Sequence, residues 1–342
     1  MAEAMQTLGE LREEAGGVIT IKSHESNDDT VDVREFNTLI WTAHHRPTRD
    51  QEIPLNGLSK NWQLLQDFYS NPEGKAFKDI GDILGDVGAT EISQSIFDRL
   101  NGVKGIKPLW VYPSLGGRIV IDWNRIPGMA AADIPRSPDG VHEQHVAMHR
   151  VGIGLLERII ERMTPQTKLV LQPHTMGSGN FGPDADAIVD GGKALDPLSP
   201  DYQSRIVGLV EIFREMYNKG CNQGPARPDV DLITRYRDAS IPALPDAGFA
   251  DRFEARLLEV GIKPERNNPF PHAPGYPGSA LIERLQKKRG ELGLAPAAQG
   301  LFDVAKRLIQ TGPTFDALDF VVSEEGVEKI AKAVELAVDD VL

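Results

Sequence analysis

A chain of 342 residues, 40% hydrophobic and 25% charged, is long enough to bury a full core as one large α/β domain or two smaller ones. Its formal net charge of −13, from 37 basic and 50 acidic residues, argues against a nucleic-acid or anionic-membrane surface. The single cysteine, Cys221, excludes an intramolecular disulfide and a thiolate-rich zinc site, and fits a reducing cytoplasm.

The start, MAEAMQTLGELREEAGG, is acidic and amphipathic, unlike a secretory signal, and no apolar run approaches the ~20 residues that span a bilayer. VITIK (18–22) reads as a short strand followed by a polar turn-forming run. TLIWTA (38–43) is a second strand and delivers His44 and His45 into a loop. Residues 59–87 carry helical spacing broken at Asn71-Pro72, and Gly88-Ala89-Thr90 opens a further helix or strand reaching Ile96. LWVY (109–112) then leads to RIVIDWNR (118–125), a β-branched run with the composition of a doubly buried strand.

A long amphipathic helix spans about His142 to Arg162, and LVLQ (169–172) is the next strand, ending in Pro173-His174-Thr175-Met176-Gly177. DADAIVDGG (184–192) holds a short strand, 199–219 is helical, and 227–246 is a polar, proline-bearing excursion. Helices follow at 249–260 and 281–293 around the Pro/Gly/aromatic loop 267–278, then a last strand at 315–322 and a C-terminal helix from Glu324. Strands alternating with helices predict an α/β fold, a mostly parallel or mixed central sheet with helices on both faces, phosphorylase/hydrolase-like. One domain covers 1–342, with an N-terminal extension (1–37) and an insertion near 227–250.

Ligands in such folds bind at the carboxyl ends of strands. There the sequence places Asp122-Trp123-Asn124-Arg125, whose guanidinium either grips a substrate carboxylate bidentately or pairs with a neighbour. His174 and one of His44 and His45 occupy comparable ends, where a neutral imidazole is a common metal ligand; adjacent side chains alternate, so only one of the pair can face the cleft, with His44 favoured and His45 left open. His24 lies among turn-forming carboxylates, and His142, His145 and His149 share one helical face without the zincin spacing. Glu73, Asp79 and Asp82 are possible oxygen ligands. GSGNFG fits neither phosphate-binding fingerprint, and no G-x-S-x-G elbow occurs.

In this order TLIWTAHH, GAT (88–90), RIVIDWNR and LVLQPHTMG resemble the N-formylglutamate amidohydrolase family, related to zinc carboxypeptidase and aspartoacylase-like hydrolases. The resemblance implies a zinc-dependent amidohydrolase of a small carboxylated amide, with His174, His44 or His45, and a carboxylate (Glu73 or Asp79) as ligands. It implies that Arg125 and Asn124 bind the substrate carboxylate, with Arg118 in support; the acidic balance and the lack of a long apolar run speak against nucleic-acid and membrane partners. In the last strand the family's general-base glutamate falls on Val321, so proton transfer passes to Asp319 or Glu324. The alternative is a non-catalytic or repurposed relative that keeps a carboxylate-binding pocket.

Overall fold

The computed structural model describes residues 7–23, 29–45, 86, 88–114, 123, 141–176, 231–235, 247–266, 285–309 and 322–340. Outside them lie most of the helical spacing at 59–87, RIVIDWNR apart from Trp123, the elements expected at 184–192 and 199–219, the loop 267–278, and 315–321.

The described strands are β1 (Ile19–Ser23), β2 (Thr38–Trp41), β3 (Pro108–Pro113), β4 (Leu169–Met176), β5 (Leu232–Arg235), β6 (Pro264–Arg266) and β7 (Ala298–Ala305). The helices are α1 (Leu8–Ala15), α2 (Ala89–Leu100), α3 (Val141–Met163), α4 (Ala247–Glu259), α5 (285–291), α6 (Lys306–Ile309) and α7 (Glu324–Asp339). The strands form one mixed sheet in the order β1-β3-β2-β4-β7-β5-β6. Its centre, β3-β2-β4-β7, is parallel, while β1 and β5 join antiparallel. The fold is therefore α/β, and among the described residues no helix is long and apolar enough to cross a membrane.

The strands read as apolar runs because helices cover both faces of the sheet. Leu39, Trp41, Leu109, Val111 and Val170 face the layer of α1 and α3, packing with Leu8, Leu11, Leu156 and Ile159. Their alternating neighbours Ile40, Trp110, Leu169 and Leu171 face the layer of α2, α4 and α7, packing with Ile92, Ile96, Phe253, Ile330 and Val334. Trp123, the described residue of the RIVIDWNR stretch, is buried in the first layer. A Cβ on Gly152 of α3 would come within 2.1 Å of its ring, so this glycine makes the indole's seat.

Three expectations are revised. β4 does not stop at Gln172 but runs through Pro173 and His174 to Met176, because β7 pairs with it all the way. The excursion at 227–246 contains β5, docked on β7. Finally, β7 itself was not expected: Gly300 and the alanines around it mask a strand pattern. That glycine is needed, since a Cβ there would press 2.7 Å from both Leu171 and Phe249. The strand expected at 18–22 is β1, an edge strand of the sheet.

The order of the chain creates a crevice. From β2 it crosses to β3 on one side, then returns to β4 on the other, so β2 and β4 flank the point where the winding reverses. Their pairing lasts only from Thr38↔Leu169 to Ile40↔Leu171. Beyond it β2 stays with β3 (Trp41↔Val111), while β4 stays with β7. The two strands splay at their carboxyl ends.

Gly88 caps α2 at the mouth of this crevice with φ 90°, and a Cβ on it would meet Ile309 Cδ1 at 2.1 Å. Backbone conformation and space both select glycine here. Gly88→Ala is expected to lower stability by about 1–3 kcal/mol, read as a lower denaturant midpoint at unchanged m-value.

Candidate metal centre

Three polar residues meet where β2 and β4 part. His44 follows β2, Asp86 sits just before the cap of α2, and His174 is carried by β4. All three are buried, with relative exposures of 5%, 5% and 2%. His174 Nδ1 lies 2.7 Å from Asp86 Oδ2, and His44 Nδ1 lies 3.1 Å from the same oxygen. The Thr175 backbone N–H donates to that oxygen at 3.4 Å. The two imidazoles stand edge to face, with centroids 5.2 Å apart.

The backbone holds this arrangement from both sides. The Asp86 N–H donates to the His44 carbonyl (3.2 Å), and the Asp86 carbonyl accepts from Ala89 N–H (2.9 Å). A buried polar chain then locks α2 onto the sheet: Trp110 Nε1 donates to Thr42 Oγ1 (2.9 Å), Thr42 Oγ1 to Ser93 Oγ (2.6 Å), and Ser93 Oγ to the Ala89 carbonyl (2.7 Å). Each member is satisfied, so the chain rigidifies the start of α2 without leaving a bare polar group.

Burial alone would raise the Asp86 carboxyl pKa, but the two imidazoles outweigh it and hold the group well below the usual carboxylate range. For His174 the balance runs the other way. Burial dominates, and although Asp86 and Asp303 pull its pKa upward, the imidazole ends below its ordinary value. At neutral pH the site therefore presents a carboxylate and, at His174, a neutral ring, the protonation states that bind metals.

This group can hold a metal ion. The three donor atoms lie within 4.8 Å of one another. Tetrahedral zinc with bonds of about 2.0–2.1 Å sets neighbouring donors about 3.3 Å apart, and the carboxylate–imidazole separations of 2.7 and 3.1 Å need only a few tenths of an ångström to reach it. Two imidazoles and one carboxylate are also the protein ligand set of many catalytic zinc sites.

The structure brings His44 and His174 together and sends His45 elsewhere. The His45 ring lies on Tyr112 with centroids 4.4 Å apart, its Nδ1 sharing a hydrogen with Thr90 Oγ1 (3.0 Å). Burial, reinforced by the Lys22 charge, pushes its pKa down to about 4. Glu324 is exposed at the head of α7. Glu73, Asp79, Asp82, Arg118, Asn124, Arg125, Asp319 and Val321 lie outside the described residues, as do His24 and the side chains of His142, His145 and His149.

Two residues escaped the sequence reading. Asp86 stands two residues before the Gly88-Ala89-Thr90 turn, and its one available signal was that proximity. Asp303 lies on the unexpected strand β7, buried and in register with His174.

Compared with family models, curated proteins and solved structures, the chain matches none.

The protonation balance makes the metal-free fold acid-sensitive. His45 and His174 have folded pKa values below 6.5, and Asp86 below 3.8, so all three bind protons more readily unfolded. Their contribution is complete above pH 6.5 and declines as pH falls; the drop from 6.5 to about 4 at His45 is on the order of 3 kcal/mol. Urea melts of the chelated protein between pH 7.5 and 4 are expected to show this loss, and His45→Phe to reduce it.

Proposed function

We propose that the protein is a metal-dependent hydrolase, with zinc at His44, Asp86 and His174, acting on the amide bond of a small carboxylated substrate such as an N-acyl amino acid. The observation that carries this reading is the buried His-Asp-His group at the switch point of an α/β sheet. Such a crevice is where open α/β sheets take their ligands. The substrate class rests on the resemblance of RIVIDWNR and PHTMG to the amidohydrolase family, through Arg118, Asn124 and Arg125.

Zinc bound there supplies a water that is nucleophilic near neutral pH and polarises a scissile carbonyl. The chain's own residues divide the remaining work. Asp86 holds the two imidazoles in one orientation, and His174 stays neutral because it is buried. Asp303 is the carboxylate in register with His174, and its charge reaches that ring. In this reading Asp303 takes the proton-transfer role expected of Asp319 or Glu324, and a strand earlier in the chain than 315–322 carries it.

Metal analysis of the purified protein tests the proposal directly. Stoichiometric zinc is expected in the wild type and a loss of it in His174→Ala and Asp86→Asn; zinc retained in both variants would remove these residues from the site. Asp303→Asn is expected to keep the metal and lose about 10²–10⁴ in kcat toward N-formyl or N-acetyl amino acids. An unchanged rate would take proton transfer away from Asp303.

A further inference from the structure

On the other side of His45 the sheet carries a second feature, an open groove of about 610 Å³ between α2 and the β1–β3 edge. That volume is within the range of small-molecule sites. None of its lining residues belongs to the His44–Asp86–His174 group. Its floor is aromatic: His45, Tyr112 and Trp110 follow one another with centroids 4.4 and 4.6 Å apart. Lys22, which pairs with Trp110 across β1 and β3, lies over that floor with Nζ 4.7 Å from the Trp110 ring and 5.6 Å from Tyr112.

The charges of the groove are unevenly matched. Arg99 is bound to Glu328 and Glu335, and Asp98 accepts from the Gln94 amide. Lys22 has no carboxylate partner among the described residues; its ammonium donates to the side-chain carbonyl of Gln94 at 3.3 Å. Glu91 faces no cation among them either, and its Oε2 is buried without a hydrogen-bond partner. Glu91 and Gln94 are three apart on α2 and line the same wall. A cation and an anion thus line one groove, and among the described residues neither has a counter-ion or pairs with the other. A carboxylate oxygen left bare in a half-buried wall costs stability unless something donates to it.

We infer that this groove binds a free apolar or aromatic α-amino acid, its carboxylate on Lys22, its ammonium on Glu91, and its side chain at the His45–Tyr112 end of the floor, Trp110 being buried beneath Lys22. A zwitterion is the small ligand that completes both charges at once. Neither a simple anion nor a simple cation does. The groove is separate from the metal group, so occupancy does not depend on zinc.

Calorimetric titration of the full-length protein, with chelator and with zinc, distinguishes the possibilities using L-phenylalanine and L-leucine as probes. Each is compared with its N-acetyl derivative, which lacks the ammonium, and its amide, which lacks the carboxylate. Binding of the free amino acid is expected, with both derivatives weaker by about tenfold or more. Lys22→Met is expected to erase the difference between the acid and the amide, and Glu91→Gln that between the free and the N-acetyl forms. No binding of either amino acid, or equal binding of all three forms to the wild type, would overturn the inference. Binding that disappears with chelator alone would place the ligand at the metal group and overturn it as well.

Discussion

The centre of this molecule depends on one buried carboxylate. Burying an unpaired charge is among the costliest things a fold can do. Asp86 is tolerated because a single oxygen collects an N–H from Thr175 and faces both His44 and His174. Removing one of these partners would weaken that compensation at a buried group. The same requirement explains why Gly88 follows so closely: the chain must turn with positive φ to start α2 while keeping Asp86 aimed into the crevice.

The crevice exists because of strand pairing, and strand pairing follows from the sequence of crossings. β2 is held by β3 and β4 by β7, so the two central strands part where neither has a reason to follow the other. Pro173 lies in the splayed part of β4, where it has no ladder bond to offer β2. His174, one residue on, reaches Asp86 across the gap that this divergence opens.

Much of this was legible in the residues. TLIWTA and LVLQ read as strands because β-branched and large apolar residues run without alternation, and their ends marked His44 and His174. Alternation along an extended chain left room in the crevice for only one of His44 and His45, and the contact with Asp86 makes it His44. What stayed hidden is what depends on distant contacts. β7 carries a glycine where Leu171 and Phe249 press on the backbone, and that glycine with the flanking alanines hides the pairing that makes it a strand. Asp86 resembles any other acidic residue near a helix start until β2 and β4 come together around it. A carboxylate's role is set by its neighbours in space, and beyond its closeness to the Gly88-Ala89-Thr90 turn nothing local distinguishes Asp86 from Asp79 or Asp82.

The two adjacent histidines show how one strand end serves two environments. His44 turns toward the crevice and Asp86, while His45 turns over the rim onto Tyr112, the face occupied by α2. α2 itself joins both places: Gly88 at its start fixes Asp86, and Glu91 and Gln94 a turn later form the wall of the groove beside Lys22. The Thr42–Ser93–Trp110 chain pins that helix to β2 and β3 between them. A change in how α2 seats on the sheet would therefore move Asp86 and Glu91 together. The His44–Asp86–His174 group and the groove share no side chain, yet they share one rigid support, and the precision of each rests on the same three buried hydrogen bonds.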